Sequence, residues 1–180
     1  SRDGMAAGDR GAALDALVRV QQTSHVQELV QAVLAADKSK KPMQVLRGLA
    51  RLLVQRSDSE LLEQAVALEQ LVAGGASLAR IGYAGMLAAG DLERARQLAD
   101  QQRDVQSLLA AVELLPAKAR TSELSAIVVS LADAADAVDP AVRRAAIAAM
   151  AYLRNLDANM YGIVMRGIRQ EELRESAIST

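Results

Sequence analysis

Amphipathic stretches of three to four helical turns follow one another along the whole chain, and this spacing is its most constraining feature. Within each stretch apolar residues recur three and four positions apart, as at Val26, Leu29, Val30 and Val33, which is typical of one face of an α-helix. Helix starts are predicted near residues 24, 42, 58, 77, 91, 104, 121, 139, 157 and 171, after a first helix over 11–22. The links between them, about two to six residues, favour antiparallel neighbours.

Helix-start and helix-stop residues accompany this pattern. Ser57 and Glu60 form a possible capping box before a helix that the apolar pattern extends to Val72, and Gly74 supplies its stop. Asp139 and Pro140 combine an N-cap with a proline at the first helical position. Further N-caps are predicted at Ser24, Asp104 and either Thr121 or Ser122.

The composition favours an all-α fold. Hydrophobic residues make up 51% of the chain but aromatic residues only 2%, with neither Phe nor Trp, so the core must be built from Leu, Val, Ile, Met and Ala. Ala and Leu are strong helix formers, whereas the β-branched and aromatic residues that favour strands are sparse. Ala-lined faces also let helix axes approach closely.

Taken in pairs, the predicted helices give about five antiparallel hairpins with a period of roughly 30–36 residues, which is typical of an α-α superhelix, or solenoid. An ordinary bundle of ten helices is the alternative. We expect a flexible segment over residues 1–10 and a single helical-repeat domain over 11–180. Because the chain begins with Ser1 and ends within a helical pattern, we interpret it as a fragment of a longer protein.

Residues 139–153, DPAVRRAAIAAMAYL, resemble the second helix of a HEAT repeat, in which Asp-Pro is followed by Val-Arg and then by small inward-facing residues. The segments 171–178 and 41–53 are looser versions of the same pattern. This resemblance implies a solenoid in which Asp139 and Arg143 take part in pairing between successive repeats. The alternative is that Asp139 is only an N-cap and Arg143 a solvated surface charge.

The middle of the chain resembles a different repeat. Residues 88–99, AAGDLERARQLA, look like a tetratricopeptide turn through Gly90, Asp91 and Ala95. The upstream Gly82 lies one residue too early for that motif, so we interpret this region as a variant hairpin inside a HEAT-like array.

The sequence favours no catalytic chemistry, metal or cofactor. Cys is absent, and the single histidine, His25, has no cluster of acids at ligand spacing, so it is expected to be a solvated residue at a helix start. Residues 73–77, AGGAS, lack the lysine of a phosphate loop. The paired acids Glu171 and Glu172, and Asp133 and Asp136, lie where helix-terminal charges normally do. We therefore predict that the chain is not an enzyme.

Nucleic acid and membrane are not predicted as partners. The formal net charge is −1, and the one basic run, DKSKK at 37–41, is short and has no aromatic residue beside it. No apolar stretch reaches the ~18 residues that a membrane span requires. The sequence predicts no particular compartment.

Four arginines are the candidate partner-binding residues. If each hairpin consists of an outer and an inner helix, the inner helices carry Arg47 and Arg51, and Arg143 and Arg144, while the outer helix over 58–72 is acidic. Glu113 and the acids at 171, 172 and 175 are exceptions to this pattern. The hypothesis is a partly basic concave surface for an acidic or extended segment; a solvated surface of mixed charge is the alternative.

The sequence thus predicts a non-catalytic helical-repeat scaffold that mediates contacts with a protein partner or with neighbouring domains of the same chain. A helical-fold enzyme domain and a nucleic-acid-binding HEAT-like module remain alternatives. A cleft that gathers titratable side chains would favour the enzyme. A continuous Lys/Arg stripe would favour the nucleic-acid binder.

Overall fold

The computed structural model describes residues 12–13, 15–16, 23–134, 139–153, 158–169 and 178. Every regular element in those ranges is helical, which confirms the all-α class. The helices, numbered in chain order, are α1 His25–Lys38, α2 Met43–Val54, α3 Asp58–Glu63, α4 Ala65–Val72, α5 Ala76–Ala88, α6 Leu92–Gln102, α7 Val105–Ala111, α8 Ser122–Asp133, α9 Pro140–Met150 and α10 Ala158–Arg169. Two single-turn 3₁₀ helices, η1 Val112–Leu114 and η2 Ala117–Ala119, follow α7.

Several predicted features lie outside the described residues. They are the segment 1–10, most of the helix predicted over 11–22, Asp136, and the helix expected from 171 with Glu171, Glu172 and Glu175. The parts of the first predicted helix that are described, residues 12–13 and 15–16, are helical.

Local capping chemistry sets where the helices begin. Ser24, Asp104, Thr121 and Asp139 each occupy the N-cap position, and each side chain accepts a hydrogen bond from a backbone N–H two or three residues further on. These bonds satisfy amide groups that have no partner within the helix, and each cap is worth about 1 kcal/mol. The N-caps predicted at these four positions are confirmed, and Pro140 occupies the first helical position as expected.

The single helix predicted up to Val72 is wrong, because it is interrupted at Gln64. The backbone of Gln64 has φ −108° and ψ 24°, and its N–H donates to the Leu61 carbonyl, three residues back, at 3.1 Å. This bond closes a tighter turn than an α-helical one and separates α3 from α4. Leu61 and Leu68, on the two sides of the break, are both buried. Each half therefore still contributes an apolar side to the core.

Helix α5 is the most enclosed helix. All of residues 81–89 are buried, and α5 contacts α1, α2, α3, α4, α6 and α7. Its glycines face α4: a Cβ atom at Gly82 would lie 2.7 Å from the Leu68 carbonyl oxygen, and one at Gly85 would lie 2.6 Å from a Leu68 methyl carbon. The two glycines therefore allow close approach between α4 and α5.

The larger helix contacts join elements that are near one another in chain order. Within helix pairs, α1 packs on α2, α4 on α5, α6 on α7, and α8 on α9. A second set of contacts joins the second members of successive pairs, α2 to α5, α5 to α7, and α7 to α9. One cluster of buried apolar side chains extends from Val26 in α1 to Ile163 in α10.

Candidate partner-binding groove

A groove of about 370 Å³ lies along α2, α5, α7 and α9, and we call it the Arg47 groove. Each of four successive helix pairs contributes its second helix, so the groove depends on how the pairs are placed side by side. Its lining consists of Met43, Leu46, Arg47, Ala50, Ala76, Ser77, Arg80, Ile81, Gln106, Ser107, Ala110, Leu114 and Ala145.

Most of the lining is apolar and small. Leu46 and Ile81 are almost fully buried, whereas the Met43 side chain is 49% exposed. Four of the lining residues are alanines, one each from α5, α9, α2 and α7 (Ala76, Ala145, Ala50 and Ala110). Because alanine side chains are short, the groove has space for apolar side chains from outside.

A three-residue charged cluster lies at the groove. Arg47 Nη2 is 3.4 Å from Glu113 Oε1, and Arg80 Nη2 contacts the other carboxylate oxygen, Oε2. The Arg80 Nε atom is buried and has no hydrogen-bond partner in the part of the chain that the structure describes. The Arg47 side chain is 50% exposed, against 23% for Arg80 and 29% for Glu113. Two guanidinium groups share one carboxylate, so the cluster has a net positive charge.

Sequence analysis missed Arg80 and treated Glu113 only as an exception to the basic pattern. Arg80 lies 33 residues after Arg47, and Glu113 lies 33 residues after Arg80. This interval lies within the predicted repeat period of roughly 30–36 residues. These three residues could have been found by comparing positions that lie one repeat period apart in the sequence. That they touch depends on the packing of α2, α5 and η1.

The structure places the four predicted arginines in different surroundings. Arg47 lines the groove, while Arg51 and Arg144 are exposed and do not line it. Arg143 is only 7% exposed, and its Nε donates to the Ala132 carbonyl at the end of α8 at 3.1 Å. The alternative in which Arg143 is a solvated surface charge is therefore wrong. A partner-binding role for the exposed arginines stays a prediction.

His25 lies between two carboxylates that are distant in sequence. Its Nε2 is 2.7 Å from Asp15 Oδ1, and its Nδ1 is 3.6 Å from Glu60 Oε1. The side chain is 26% exposed, so the expectation of a merely solvated residue is wrong. Burial favours the neutral form of Glu60, but hydrogen bonds from the Ser57 side chain and backbone and the Arg56 guanidinium together lower its pKa from 4.5 to about 2. Glu60 is thus held in its ionised form at the start of α3, with its Oε1 atom 3.6 Å from His25 Nδ1 in α1.

A second and more open concavity, of about 780 Å³, lies over α6. Four carboxylates and two guanidinium groups line it, from Glu69, Asp91, Glu93, Asp100, Arg94 and Arg96. Arg94 pairs with Glu69 across the α4–α6 gap, and most of these side chains are exposed. Such a surface is typical of solvated charges. The Arg47 groove is therefore the candidate site.

Among the described residues, no group of three or more His, Asp or Glu side chains is placed to hold a metal ion. In the same ranges, no helix has both the length and the apolar character needed to cross a membrane. No protein-family model, curated protein or solved structure matches this chain. Any functional argument therefore depends on the chain's own residues.

Proposed function

We propose that this chain is a non-catalytic, HEAT-like helical-repeat scaffold that binds a protein segment in the Arg47 groove. The segment belongs to a separate protein or to a neighbouring domain of the same chain; neither nucleic acid nor membrane is the target, and no cofactor takes part. The observation that carries the proposal is that α2, α5, α7 and α9 line the groove in turn. Stacked repeats bind their partners on extended surfaces of this kind.

The spacing of the helices supports a repeat architecture. The first members of the pairs begin at residues 25, 58, 92, 122 and 158, and the second members begin at 43, 76, 105 and 140. Helix pairs of 30–40 residues are typical of solenoids.

The contacts between pairs give further support. In a solenoid each repeat contacts mainly its neighbours. Here the second helices of successive pairs contact one another, α2 with α5, α5 with α7 and α7 with α9. Two salt bridges, Arg80 with Glu113 and Arg166 with Asp133, join residues that are 33 positions apart. Each of them therefore links one helix pair to the next. We propose that the pairs form one curved row.

Site-specific photo-crosslinking tests this function. A photoreactive phenylalanine analogue replaces Met43 in the groove or, as the control, Val66, which is 65% exposed and lies outside the groove. Each protein is irradiated in a lysate of the cells that express the chain. We expect a discrete cross-linked protein from position 43 only. Equal labelling from both positions, or none from position 43, would contradict a groove-bound protein partner.

A further inference from the structure

We infer that the Arg47 groove takes an acidic, partly apolar peptide segment whose carboxylate replaces Glu113 as the partner of Arg47. This inference rests on the proposed function and specifies the chemistry of the partner. It also gives Glu113 a defined role, that of an internal competitor for the incoming acid.

The charge balance of the cluster carries the first step. One carboxylate, Glu113, contacts two guanidinium groups and leaves one positive charge without an acidic partner within the cluster. A bound carboxylate would restore neutrality, since guanidinium groups bind carboxylates through paired hydrogen bonds. Within the described ranges the buried Arg80 Nε also has no partner, so the present arrangement leaves donor capacity unused.

The two contacts of Glu113 are unequal, and this determines which one opens. The Arg47 contact is 3.4 Å long and its arginine is half exposed, whereas Arg80 is less exposed and donates a hydrogen bond to Glu113. Exposed ion pairs contribute little because water solvates both charges. Glu113 can therefore keep Arg80 while Arg47 turns to an incoming carboxylate.

The apolar lining determines the rest of the partner. Met43 precedes Arg47 by one helical turn and is the exposed apolar side chain at the groove edge. The short side chains of Ala76, Ala110 and Ala145 lie further along the groove. A volume of about 370 Å³ suits a few side chains of an extended or helical segment. The fitting segment has aliphatic residues next to Asp or Glu.

Nucleic acid fits the same groove less well. A phosphate backbone presents a line of negative charges and requires several Lys or Arg side chains along its path. The groove lining contains two arginines, with Glu113 between them. Repulsion from Glu113 opposes a phosphate chain, whereas a single side-chain carboxylate can replace it at one arginine.

Selection from a library of random short peptides displayed on phage, with the intact chain as bait, tests the inference. Selected peptides are then measured against single variants of the bait by fluorescence anisotropy, with circular dichroism as the check on folding. Arg47→Glu removes the proposed contact, and Arg47→Met removes only its charge. Arg96→Glu, which reverses an exposed arginine of α6 outside the groove, is the matched control. Glu113→Gln removes the competitor, and Ala110→Trp fills the groove.

We expect the selected peptides to be enriched in Asp or Glu beside aliphatic residues. Their affinity should fall about tenfold or more with Arg47→Glu, and less with Arg47→Met, because reversing the charge adds repulsion. It should rise about threefold with Glu113→Gln and stay within roughly twofold with Arg96→Glu. The opposite sign for Glu113→Gln would overturn the displacement of Glu113.

The remaining outcomes separate this inference from the proposed function. Peptides that are lost with Ala110→Trp but show no acidic enrichment, and are indifferent to Arg47→Glu, overturn the acidic partner and leave the binding groove in place. A failure to select any peptide sensitive to Ala110→Trp overturns both. Retention of a short fluorescent DNA duplex that is lost with Arg47→Glu also overturns both, in favour of nucleic acid.

Discussion

Gly82 and Gly48 are both helical glycines, but their surroundings differ. A Cβ atom at Gly82 would lie 2.7 Å from the Leu68 carbonyl oxygen and 2.9 Å from the Val72 backbone nitrogen. A Cβ atom at Gly48 would instead lie in open space, with no described atom of another helix within 4 Å. We expect Gly82→Ala to lower the free energy of unfolding by about 1–3 kcal/mol because α4 must move away. Gly48→Ala should raise it by about 0.5–1 kcal/mol through helix propensity. Urea denaturation measures both, and equal effects would contradict close packing of α4 on α5.

Among the described residues the hydroxyl group of Tyr83 has no hydrogen-bond partner, and the side chain is fully buried. Burial, with the negative charges of Asp104 and Asp100, raises its pKa to about 12. We expect Tyr83→Phe to keep the stability of the protein or to raise it by about 1 kcal/mol, because an unpaired buried hydroxyl is costly. The measurement is thermal denaturation of Tyr83→Phe, with Tyr161→Phe as the control because Tyr161 is 66% exposed. A clear loss of stability in Tyr83→Phe alone would mean that the hydroxyl has a partner in solution.

Among the helices, α3 begins with a capping box formed by Ser57 and Glu60, and this box makes the stability of the fold depend on pH. The folded-state pKa of Glu60, about 2, is below its ordinary 4.5. Ionised Glu60 therefore stabilises the fold above about pH 4.5, and this contribution is lost as the pH falls towards 2. We expect Glu60→Gln to lower the free energy of unfolding by about 1 kcal/mol at pH 7.

The measurement is urea denaturation of the Glu60→Gln and wild-type proteins at several pH values. The difference between them should shrink below pH 4.5, the ordinary pKa of the carboxyl group. Glu63→Gln, at an exposed position of the same helix, is the control and should differ from wild type by less than about 0.5 kcal/mol. A difference for Glu60→Gln that is constant down to the lowest pH would contradict the role of its charge.

Arg143 joins two helices, since it lies in α9 and its Nε donates to the Ala132 carbonyl in α8. We expect Arg143→Met to lower the free energy of unfolding by about 2 kcal/mol, because the buried carbonyl loses a charged donor while the apolar stem is retained. Arg144→Met, at the exposed neighbouring position, should change it by less than about 0.5 kcal/mol. Thermal or chemical denaturation of the two variants measures these changes. Similar losses of unfolding free energy in both variants would contradict this role of Arg143.

For the whole molecule, the proposed row of helix pairs predicts local responses to mutation. Ile163 of α10 is 1% exposed, and Ile163→Ala leaves a cavity at the end of the row. In a stack of repeats the loss of stability stays near the changed repeat. Amide hydrogen exchange should therefore rise in α9 and α10 but not in α1 and α2.

A matched variant at the other end makes this test symmetrical. Val30 in α1 is fully buried, and Val30→Ala should raise exchange in α1 and α2 but not in α10. In a bundle with one shared core, either variant would raise exchange in all helices together, because such a core unfolds as one unit. That result would remove the row and, with it, the proposed function.

Long-range ion pairs at this scale connect parts of the chain that the sequence pattern treats separately. Lys118 in η2 pairs with Asp58 at the start of α3, 60 residues earlier, and Arg47 pairs with Glu113. The exposed pairs contribute less than about 1 kcal/mol each.

Local sequence patterns were enough to predict the helical class and the residues at which most helices begin. N-caps such as Ser24, Asp104, Thr121 and Asp139 act within one turn of backbone, so their effect can be recognised without any knowledge of the fold. The apolar spacing likewise identified the buried sides, since Val26, Leu29, Val30 and Val33 are all in the core.

Only the tertiary structure decided which side chains meet. The burial of Arg143, the position of His25 between Asp15 and Glu60, and the Arg47–Arg80–Glu113 cluster all depend on how helices pack on one another. Helical periodicity indicates which face of a helix is buried, but it does not say which helix covers that face. Contacts between residues 33 or more positions apart arise from this packing, and the candidate binding site consists of such contacts.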